Sequence, residues 1–370
     1  MTPTPRRTTR PSAAGPALLA VDVGNSETAI GVFQEEELVL SWRVTSHART
    51  PDETLLLLRQ LLAPESLDLA GLPAVLCSVV PPVTGGFARA LEALTGHAPV
   101  VVGRETVPSM AIRYLDPSAV GPDRLANAVA VREYYGTPAI VVDLGTATTF
   151  DVVGQDGDYL GGAIAPGLWT SVEGLLARAA RLARVELKRP ECVVGRTTEE
   201  SLQAGVLFGH AGVVEAIVTR ILHELGGRAH VVATGGLARL VASETQCVEH
   251  VDEALTLKGL RLIHHALEEP RLLEAWTKKQ EARRALRAKL AREAPRDVAR
   301  EIAREVATEA PGARPKSAPA PPPPARPGPG RARGKQPEPA PAVPHAERGA
   351  EDGELGPAAR RRRSRRRGRG

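Results

Sequence analysis

Two short polar segments, each directly after an apolar run, have the residue types that bind phosphate. The first, DVGNS, begins at Asp22, and the second, DLGTATT, begins at Asp143. A carboxylate at the end of a strand could hold Mg²⁺ or its water shell, and a glycine lets N–H and hydroxyl groups approach a phosphate. Either segment alone could also be an ordinary hairpin turn. Their repetition favours a ligand, since two such segments facing each other across a cleft would clamp a triphosphate.

A third segment, GPDR, begins at Gly121 and opens a stretch with helical spacing. Asp123 would lie at or near the start of this helix, where a carboxylate is stabilised. It could act only as a cap, or it could be a general base beside Arg124, a basic group suited to an anion. The spacing alone leaves both interpretations open.

Two glycine-rich segments are weaker signals. TGG, from Thr234 to Gly236, follows an apolar run and could make room for a nucleotide beside a helix start. GGAIAPG, from Gly161 to Gly167, is predicted to be a flexible loop, either a mobile phosphate or substrate loop or a plain connector. The chain has neither the GxxxxGK pattern of P-loop kinases nor the GxGxxG pattern of Rossmann folds.

The elements that must position these segments alternate along the chain. Short apolar runs such as LLAVDV, AVLCSVV and AIVVDL predict strands, and helical spacing covers 52–62, 123–134 and 201–225. This alternation predicts an α/β fold. The stretches DVGNSETAIGVF and DLGTATTFDVV repeat one order of strand, carboxylate, glycine, hydroxyls and strand. The repeat predicts a duplicated domain with a cleft between the halves.

Composition divides the chain into an acidic body and two polar ends. Residues 1–16 are predicted to be disordered, 17–135 and 136–267 are the two predicted domains, and 268–370 are a charged, Pro/Ala/Arg-rich, mostly disordered tail. The tail has 26 Lys+Arg and 14 Asp+Glu, against 22 and 29 in the rest of the chain. The sequence pI of 9.3 therefore describes the tail and is poor support for nucleic-acid binding by the body.

Three features bear on the cellular location: the spacing of the cysteines, the start of the sequence and the length of its apolar runs. Cys77, Cys192 and Cys247 lie far apart without CxxC spacing, so neither a disulfide framework nor a zinc site is expected. The arginines near the start precede no apolar stretch of the kind found in signal peptides. No uninterrupted apolar run reaches the ~18 residues of a membrane span. We therefore expect a cytoplasmic protein.

The motifs resemble, in order and separation, those of the type III pantothenate kinases. The set comprises DVGNS, SVVPP, GPDR, DLGTATT, GGAIAPG, RTTEES and TGG, and it covers about two thirds of the chain, from Leu18 to Leu267. Each motif is widespread, but the set is specific, and GPDR with Asp143 twenty residues after Asp123 separates this family from its relatives. The family belongs to the superfamily of acetate and sugar kinases, heat-shock chaperones and actin. The resemblance implies duplicated ribonuclease H-like (actin-like ATPase) domains with an interdomain cleft.

The same resemblance implies an activity and its site. The enzyme would use ATP and Mg²⁺ to convert pantothenate to 4'-phosphopantothenate, the first step of coenzyme A synthesis. Asp123 would be the catalytic base, Asp143 the ligand of a monovalent cation (K⁺ or NH₄⁺), and Asp22 would lie near Mg²⁺. The implied ATP-binding residues are Asp22, Val23, Gly24, Asn25, Ser26, Glu27, Thr28, Ala29 and Thr146. The implied substrate-binding residues are Tyr114, Gly121, Pro122, Asp123, Arg124 and Thr198. The active form would be a homodimer with the substrate site at the subunit interface.

The sequence departs little from the family pattern. Pro122 stands where a small residue is commoner, and Ser26 replaces a frequent threonine but keeps the hydroxyl. Two alternatives stay open: a transcriptional accessory factor of the same fold, or a kinase of the same superfamily for another small hydroxy acid. The three aspartates argue against the first, and complete GPDR and RTTEES segments argue against the second. The polybasic end predicts weak polyanion binding by the tail, unless the tail is merely a solubilising extension.

Overall fold

A computed structural model of the protein describes residues 6–7, 17–63, 69–107, 110–179 and 185–269. It also describes four isolated helical positions, Lys278, Ala282, Ala285 and Lys289. The tail predicted from residue 268 lies almost entirely outside these residues, as does most of the predicted N-terminal segment. Both assignments stay predictions.

The first half of the chain forms a six-stranded sheet in the order β1-β4-β3-β2-β5-β6. Strands β2, β3 and β4 are an antiparallel meander, and β5 and β6 run parallel to β2. The strands are β1 (Arg6–Arg7), β2 (Ala17–Val23), β3 (Glu27–Gln34), β4 (Glu37–Thr45), β5 (Ala74–Ser78) and β6 (Val100–Val101). The helices α1 (Pro51–Leu62) and α2 (Pro81–Thr95) pack on the outer face of this sheet, where alternate strand residues such as Leu19 and Val21 are buried.

The second half repeats this topology. Its five-stranded sheet has the order β11-β10-β7-β8-β9, with β7, β8 and β9 antiparallel and β10 and β11 parallel to β7. The strands are β7 (Ala139–Leu144), β8 (Ala147–Val153), β9 (Tyr159–Pro166), β10 (His230–Thr234) and β11 (His250–Val251). The outer helices are α4 (Leu168–Leu176), α5 (Thr198–Glu224) and α6 (Ala238–Ala242). The repeated order confirms the predicted α/β class with duplicated ribonuclease H-like halves.

Two helices form the layer that connects the sheets. Helix α3 (Pro122–Tyr134) contacts β5, β7 and β8, and α7 (Leu255–Glu268) contacts β2, β3, β5 and α3. The two helices touch at Gly259, where a side-chain Cβ would collide with the carbonyl oxygen of Ala126. Because α3 faces both sheets, it is buried nearly all round, and its first turn lies where the halves meet. The domain boundary after residue 135 stays a prediction.

The local predictions differ in outcome. The three predicted helices are confirmed as α1, α3 and α5, and both aspartates lie one residue before the end of their strands, β2 and β7. The prediction of a flexible loop at GGAIAPG is wrong, because most of it belongs to β9, which pairs with β8. Its glycines serve close approach between strands: a Cβ on Gly162 would collide with the carbonyl oxygen of Phe150.

Helix α5 has the length and composition of a membrane span, with a hydropathy of 1.5 in its most apolar window. The search for an uninterrupted apolar run did not find this helix, because polar residues interrupt its apolar residues. Its Leu207, Val214 and Val218 are buried against the second sheet, as in the core helix of a folded domain. Only 28% of the window is buried, so much of the helix surface is open to solvent. The cytoplasmic location stays a prediction.

Candidate active site

The two predicted phosphate-binding turns face each other. In the β2–β3 turn, the Gly24 N–H donates to the carbonyl of Glu27 at 3.0 Å, and in the β7–β8 turn, the Gly145 N–H donates to the carbonyl of Ala147 at 3.0 Å. The turns meet where the hydroxyl oxygens of Ser26 and Thr146 lie 2.7 Å apart. The structure therefore brings together the two segments that the sequence paired. Both hydroxyls are exposed and can turn toward a phosphate.

Three carboxylates lie behind these turns, from three different elements. Asp22 comes from β2, Asp143 from β7, and Asp123 is the second residue of α3. Burial and the nearby charges of Asp123 and Asp143 raise the pKa of Asp22 to about 7. Burial and Asp123 likewise raise the pKa of Asp143 to about 7. The three negative charges destabilise one another, and a bound cation would relieve that repulsion.

Asp22 offers one buried carboxylate oxygen to a cation. Within the described residues, its Oδ1 is buried without a hydrogen-bond partner. A buried carboxylate oxygen is normally paired with a donor or a cation. Oxygen donors of this kind suit Mg²⁺, which commonly keeps part of its water shell when bound to proteins. The residues present therefore fit the implied metal.

Asp143 is oriented by a relay from the connecting helices. Asn127 donates from Nδ2 to Oδ2 of Asp143 at 3.0 Å, and Oδ1 of Asn127 accepts from the Thr256 hydroxyl at 2.8 Å. Sequence reasoning missed Asn127, although it lies four residues after Asp123 and thus on the same helix face. Thr256 carried no sequence signal, since 129 residues separate it from Asn127.

Asp123 owes its position to the start of α3. Gly121 is the N-cap and Pro122 the first helical residue, where proline is favoured because its missing N–H has no helical partner. Oδ1 of Asp123 accepts from the Arg124 N–H at 2.8 Å. Burial raises the pKa of Asp123, and the hydrogen bond from Arg124 opposes that rise. Asp123 is thus a residue of the first helical turn, and its partly buried carboxylate lies near those of Asp22 and Asp143.

Arg124 and Tyr114 lie on the β9 side of the cleft. Arg124 donates from Nε to Oδ1 of Asp151 on β8 at 2.6 Å. The ring of Tyr114 lies 3.6 Å from the position that a Cβ on Gly161 would occupy. Asp151 is a further residue that sequence reasoning missed, although it stands in the same hairpin as DLGTATT.

The TGG segment contributes backbone to the cleft. Gly235 has a φ of +94°, which favours glycine, and a Cβ there would lie 2.7 Å from Oδ1 of Asp143. At Gly236, a Cβ would lie 3.3 Å from Oε2 of Glu27 in the opposite turn. The weak sequence signal at TGG thus coincides with the place where the two turns approach each other.

The remaining predicted residues occupy two kinds of position. Asn25 and Glu27 are exposed in the first turn, and Glu27 pairs with Arg43 at 3.4 Å. The buried ones are Val23, Thr28 and Ala29, with the Thr28 hydroxyl bonded to Ser46. Thr198 is exposed as the first residue of α5, and no contact in the described part of the chain joins it to the other site residues.

A duplicated ribonuclease H-like fold in which two glycine turns meet in front of three carboxylates is the architecture of the acetate and sugar kinase, chaperone and actin superfamily. A family model described as type III pantothenate kinase matches residues 18–220. The chain is 49% identical over 249 residues to the type III pantothenate kinase of Moorella thermoacetica, covering 67% of this chain and 98% of that protein. The corresponding enzyme of Geobacter sulfurreducens is 47% identical over 249 residues, with the same coverage of both chains.

Among solved structures, a Baf family transcriptional activator from Campylobacter jejuni is similar at 18% identity and a TM-score of 0.44. The match covers 68% of this chain and 99% of the Campylobacter jejuni chain. The family match and the identities above decide the classification: this chain belongs to the type III pantothenate kinase family. The family's reaction opens coenzyme A synthesis, and membership favours it over the two alternatives that the motifs left open.

Proposed function

We propose that this protein is an ATP:pantothenate 4'-phosphotransferase. The observation that carries the proposal is the 49% identity to the Moorella thermoacetica type III pantothenate kinase across 98% of that protein. The cleft supports it, because phosphoryl transfer needs positioned phosphates, charge neutralisation and one base, and Asp22, Asp123 and Asp143 stand together there. Growth rescue tests the proposal. A bacterium whose own pantothenate kinase is switched off should grow with this chain, and failure to grow despite normal expression would contradict it.

Asp123 is the residue that takes the proton from the 4'-hydroxyl of pantothenate. A general base is most effective when its pKa lies near the working pH. Burial moves the pKa of Asp123 in that direction. The N–H of Arg124 keeps the carboxylate in place through its contact with Oδ1. As the hydroxyl loses its proton to Asp123, its oxygen attacks the γ-phosphorus of ATP, the bond from that phosphorus to the β,γ-bridging oxygen breaks, and ADP leaves.

The two turns bind the phosphates of ATP. The residues proposed for this role are Asp22 to Ala29, which span the end of β2, the first turn and the start of β3, and Thr146 in the second turn. Backbone N–H groups and the hydroxyls of Ser26 and Thr146 are the donors that a triphosphate requires. Mg²⁺ would be held through Asp22, and when bound it neutralises charge on the phosphates. A chelator should therefore abolish the reaction, and full activity without divalent metal would contradict this role of Asp22.

Asp143 is proposed to hold a monovalent cation, K⁺ or NH₄⁺. Asn127 fixes one oxygen of this carboxylate, and Gly235 lies against the other. The raised pKa of Asp143 reflects burial beside Asp123, so a positive charge at this point favours the ionised form of both.

Pantothenate is proposed to bind between Tyr114, the α3 start at Gly121 and Pro122, and Arg124. Its carboxylate needs a cationic partner, and Arg124 is the cation adjacent to the proposed base. Thr198 is proposed as a further contact, although it is exposed and separate from the others. A contact from Thr198 would be explained if a second subunit completes the site.

We propose an active homodimer. Exposed apolar side chains support an interface: Ile164 on β9 is 65% exposed, and Val194, four residues before Thr198, is 83% exposed. A closed two-fold dimer would bury such surfaces on both subunits. Light scattering during turnover should give the mass of two chains. A monomer mass at concentrations where the enzyme is fully active would contradict the dimer.

The tail is proposed to bind polyanions weakly and to take no part in catalysis. Seven arginines in Arg360–Arg363 and Arg365–Arg367 follow a Pro-rich stretch, whereas the body is acidic. Such binding is independent of sequence and weakens steeply with salt. A chain shortened to end at Glu269 should keep the full-length kcat/KM but leave a nucleic-acid column at low salt. Elution of both proteins together would contradict polyanion binding.

A further inference from the structure

The guanidinium of Arg124 is held by a buried polar network on β8 and β9. Oδ1 of Asp151 accepts from Nε of Arg124 at 2.6 Å and from the hydroxyl of Tyr159 at 2.8 Å. Oδ2 of Asp151 accepts from the hydroxyl of Thr149 at 3.2 Å. Asp151 and Tyr159 have 0% of their surface exposed, and Arg124 has 8%. Both oxygens of the carboxylate are therefore satisfied by protein donors.

The network fixes the direction of the guanidinium as well as its place. The Tyr159 ring lies beside it, with 5.8 Å between Cζ of Arg124 and the ring centroid, close enough for a cation–π interaction. Asp151 uses Nε only. Among the residues that the structure describes, no acceptor bonds to the terminal nitrogens Nη1 and Nη2. The edge of the guanidinium that carries Nη1 and Nη2 can donate two parallel hydrogen bonds to a carboxylate, and this edge is available to another partner.

The glycine pair of β9 makes room for this arrangement. Gly162 is the residue paired with Asp151 across the β8–β9 ladder, and a Cβ on it would lie 3.2 Å from Nη2 of Arg124. Gly161 has a φ of +125° and lies under the ring of Tyr114. The GGAIAPG motif thus brings the strand backbone close to Arg124 and Tyr114, the two side chains proposed to bind substrate.

Stability alone accounts poorly for such a pair. Burying an arginine and an aspartate costs desolvation energy that their attraction often only balances, and apolar residues of similar size usually serve the fold as well. This pair lies next to Asp123, at the start of the helix that carries the proposed base. A guanidinium fixed there by one edge can bind an anionic substrate without first losing side-chain freedom.

We propose that Asp151 and Tyr159 are positioning residues that hold Arg124 in the orientation that binds the substrate carboxylate. This inference rests on the proposed function, because it takes pantothenate as the ligand of Arg124. It assigns the requirement for a carboxylic acid to three residues on α3, β8 and β9. The residues act on substrate binding and leave the phosphoryl-transfer step itself unchanged.

Steady-state kinetics of Tyr159→Phe in the full-length protein test the inference. The substitution removes one hydroxyl and keeps the ring. We expect the KM for pantothenate to rise by ~3- to 10-fold, the cost of immobilising one flexible side chain on binding, with kcat within about 2-fold and the KM for ATP unchanged. Asp151→Asn should raise the same KM further, because the Arg124 charge loses its counter-charge. If Asp151→Asn fails to fold, Tyr159→Phe alone decides.

Tyr135→Phe is the matched control. Tyr135 also donates its hydroxyl to a carboxylate, Asp252, at 3.1 Å, but at the other end of α3. Its kinetic constants should equal those of the wild type. An unchanged KM for pantothenate in Tyr159→Phe, or a fall in kcat alone, would overturn the inference. Wild-type turnover of pantothenate separately tests the proposed function. If the wild type phosphorylates a different carboxylic acid, the same comparison on that acid tests the inference.

Discussion

Replacing Asp123 with asparagine is expected to lower kcat by about 10²–10⁴-fold, the contribution of a positioned general base. Asparagine keeps the shape of the side chain and can still accept the hydrogen bond from the Arg124 N–H, so the helix start should remain intact. It cannot take the proton from the attacking hydroxyl. Because the loss concerns the chemical step, the KM for pantothenate should change much less than kcat.

Asp52→Asn is a matched control for this substitution. Asp52 is also the second residue of a helix, follows a proline at the first position, and is exposed on α1 away from the cleft. Its kcat should equal that of the wild type. Circular dichroism and thermal unfolding would confirm that both variants are folded. A folded Asp123→Asn enzyme with near wild-type kcat would contradict the role of Asp123 as the base.

Activity is expected to be low in buffer that contains sodium alone and to recover with potassium or ammonium. The physical reason is the buried position of Asp143, where burial and Asp123 raise its pKa to about 7 and a fitting cation restores the ionised form. Asp143→Asn removes the charged ligand. It should raise the potassium concentration for half-maximal activity by ~10- to 100-fold or more, since loss of even an outer ligand partner has that effect.

Rates measured in sodium, potassium and ammonium chloride at matched ionic strength test this dependence of activity on the cation. Asn127→Ala is an informative second variant, because it removes the hydrogen bond to Asp143 while keeping the charge. Its half-maximal potassium concentration should lie between those of the wild type and Asp143→Asn. Equal wild-type rates in sodium, potassium and ammonium would contradict a cation site at Asp143.

The parts of the fold that the sequence predicted are those governed by local pattern. The hairpin segments that contain Asp22 and Asp143 combine an apolar strand, a glycine turn and a second strand within a dozen residues, so their geometry follows from short-range rules. Helix α3 was predicted for the same reason, and Pro122, which departs from the family pattern, occupies the first helical position that suits it.

The parts that were missed depend on contacts between distant residues. Strand β9 was assigned to a loop because glycine, alanine and proline have low strand propensity, and only the approach of β8 explains them. The relay from Thr256 through Asn127 to Asp143 joins three elements across the fold. The partnership of Arg124 with Asp151 likewise appears only when α3 lies over β8. No spacing rule along the chain predicts such pairs.

The most direct test of the central claim is to incubate the purified protein with ATP, Mg²⁺, potassium and pantothenate and to analyse the products by mass spectrometry. A parallel panel of small hydroxy acids serves as the comparison. We predict that 4'-phosphopantothenate and ADP form in equal amounts, and that kcat/KM for pantothenate is well above that for every other acid. Asp123→Asn should form product only at the rate that remains after the expected loss of about 10²–10⁴-fold in kcat. ADP formation without a phosphorylated pantothenate, or a clear preference for another acid, would contradict the account.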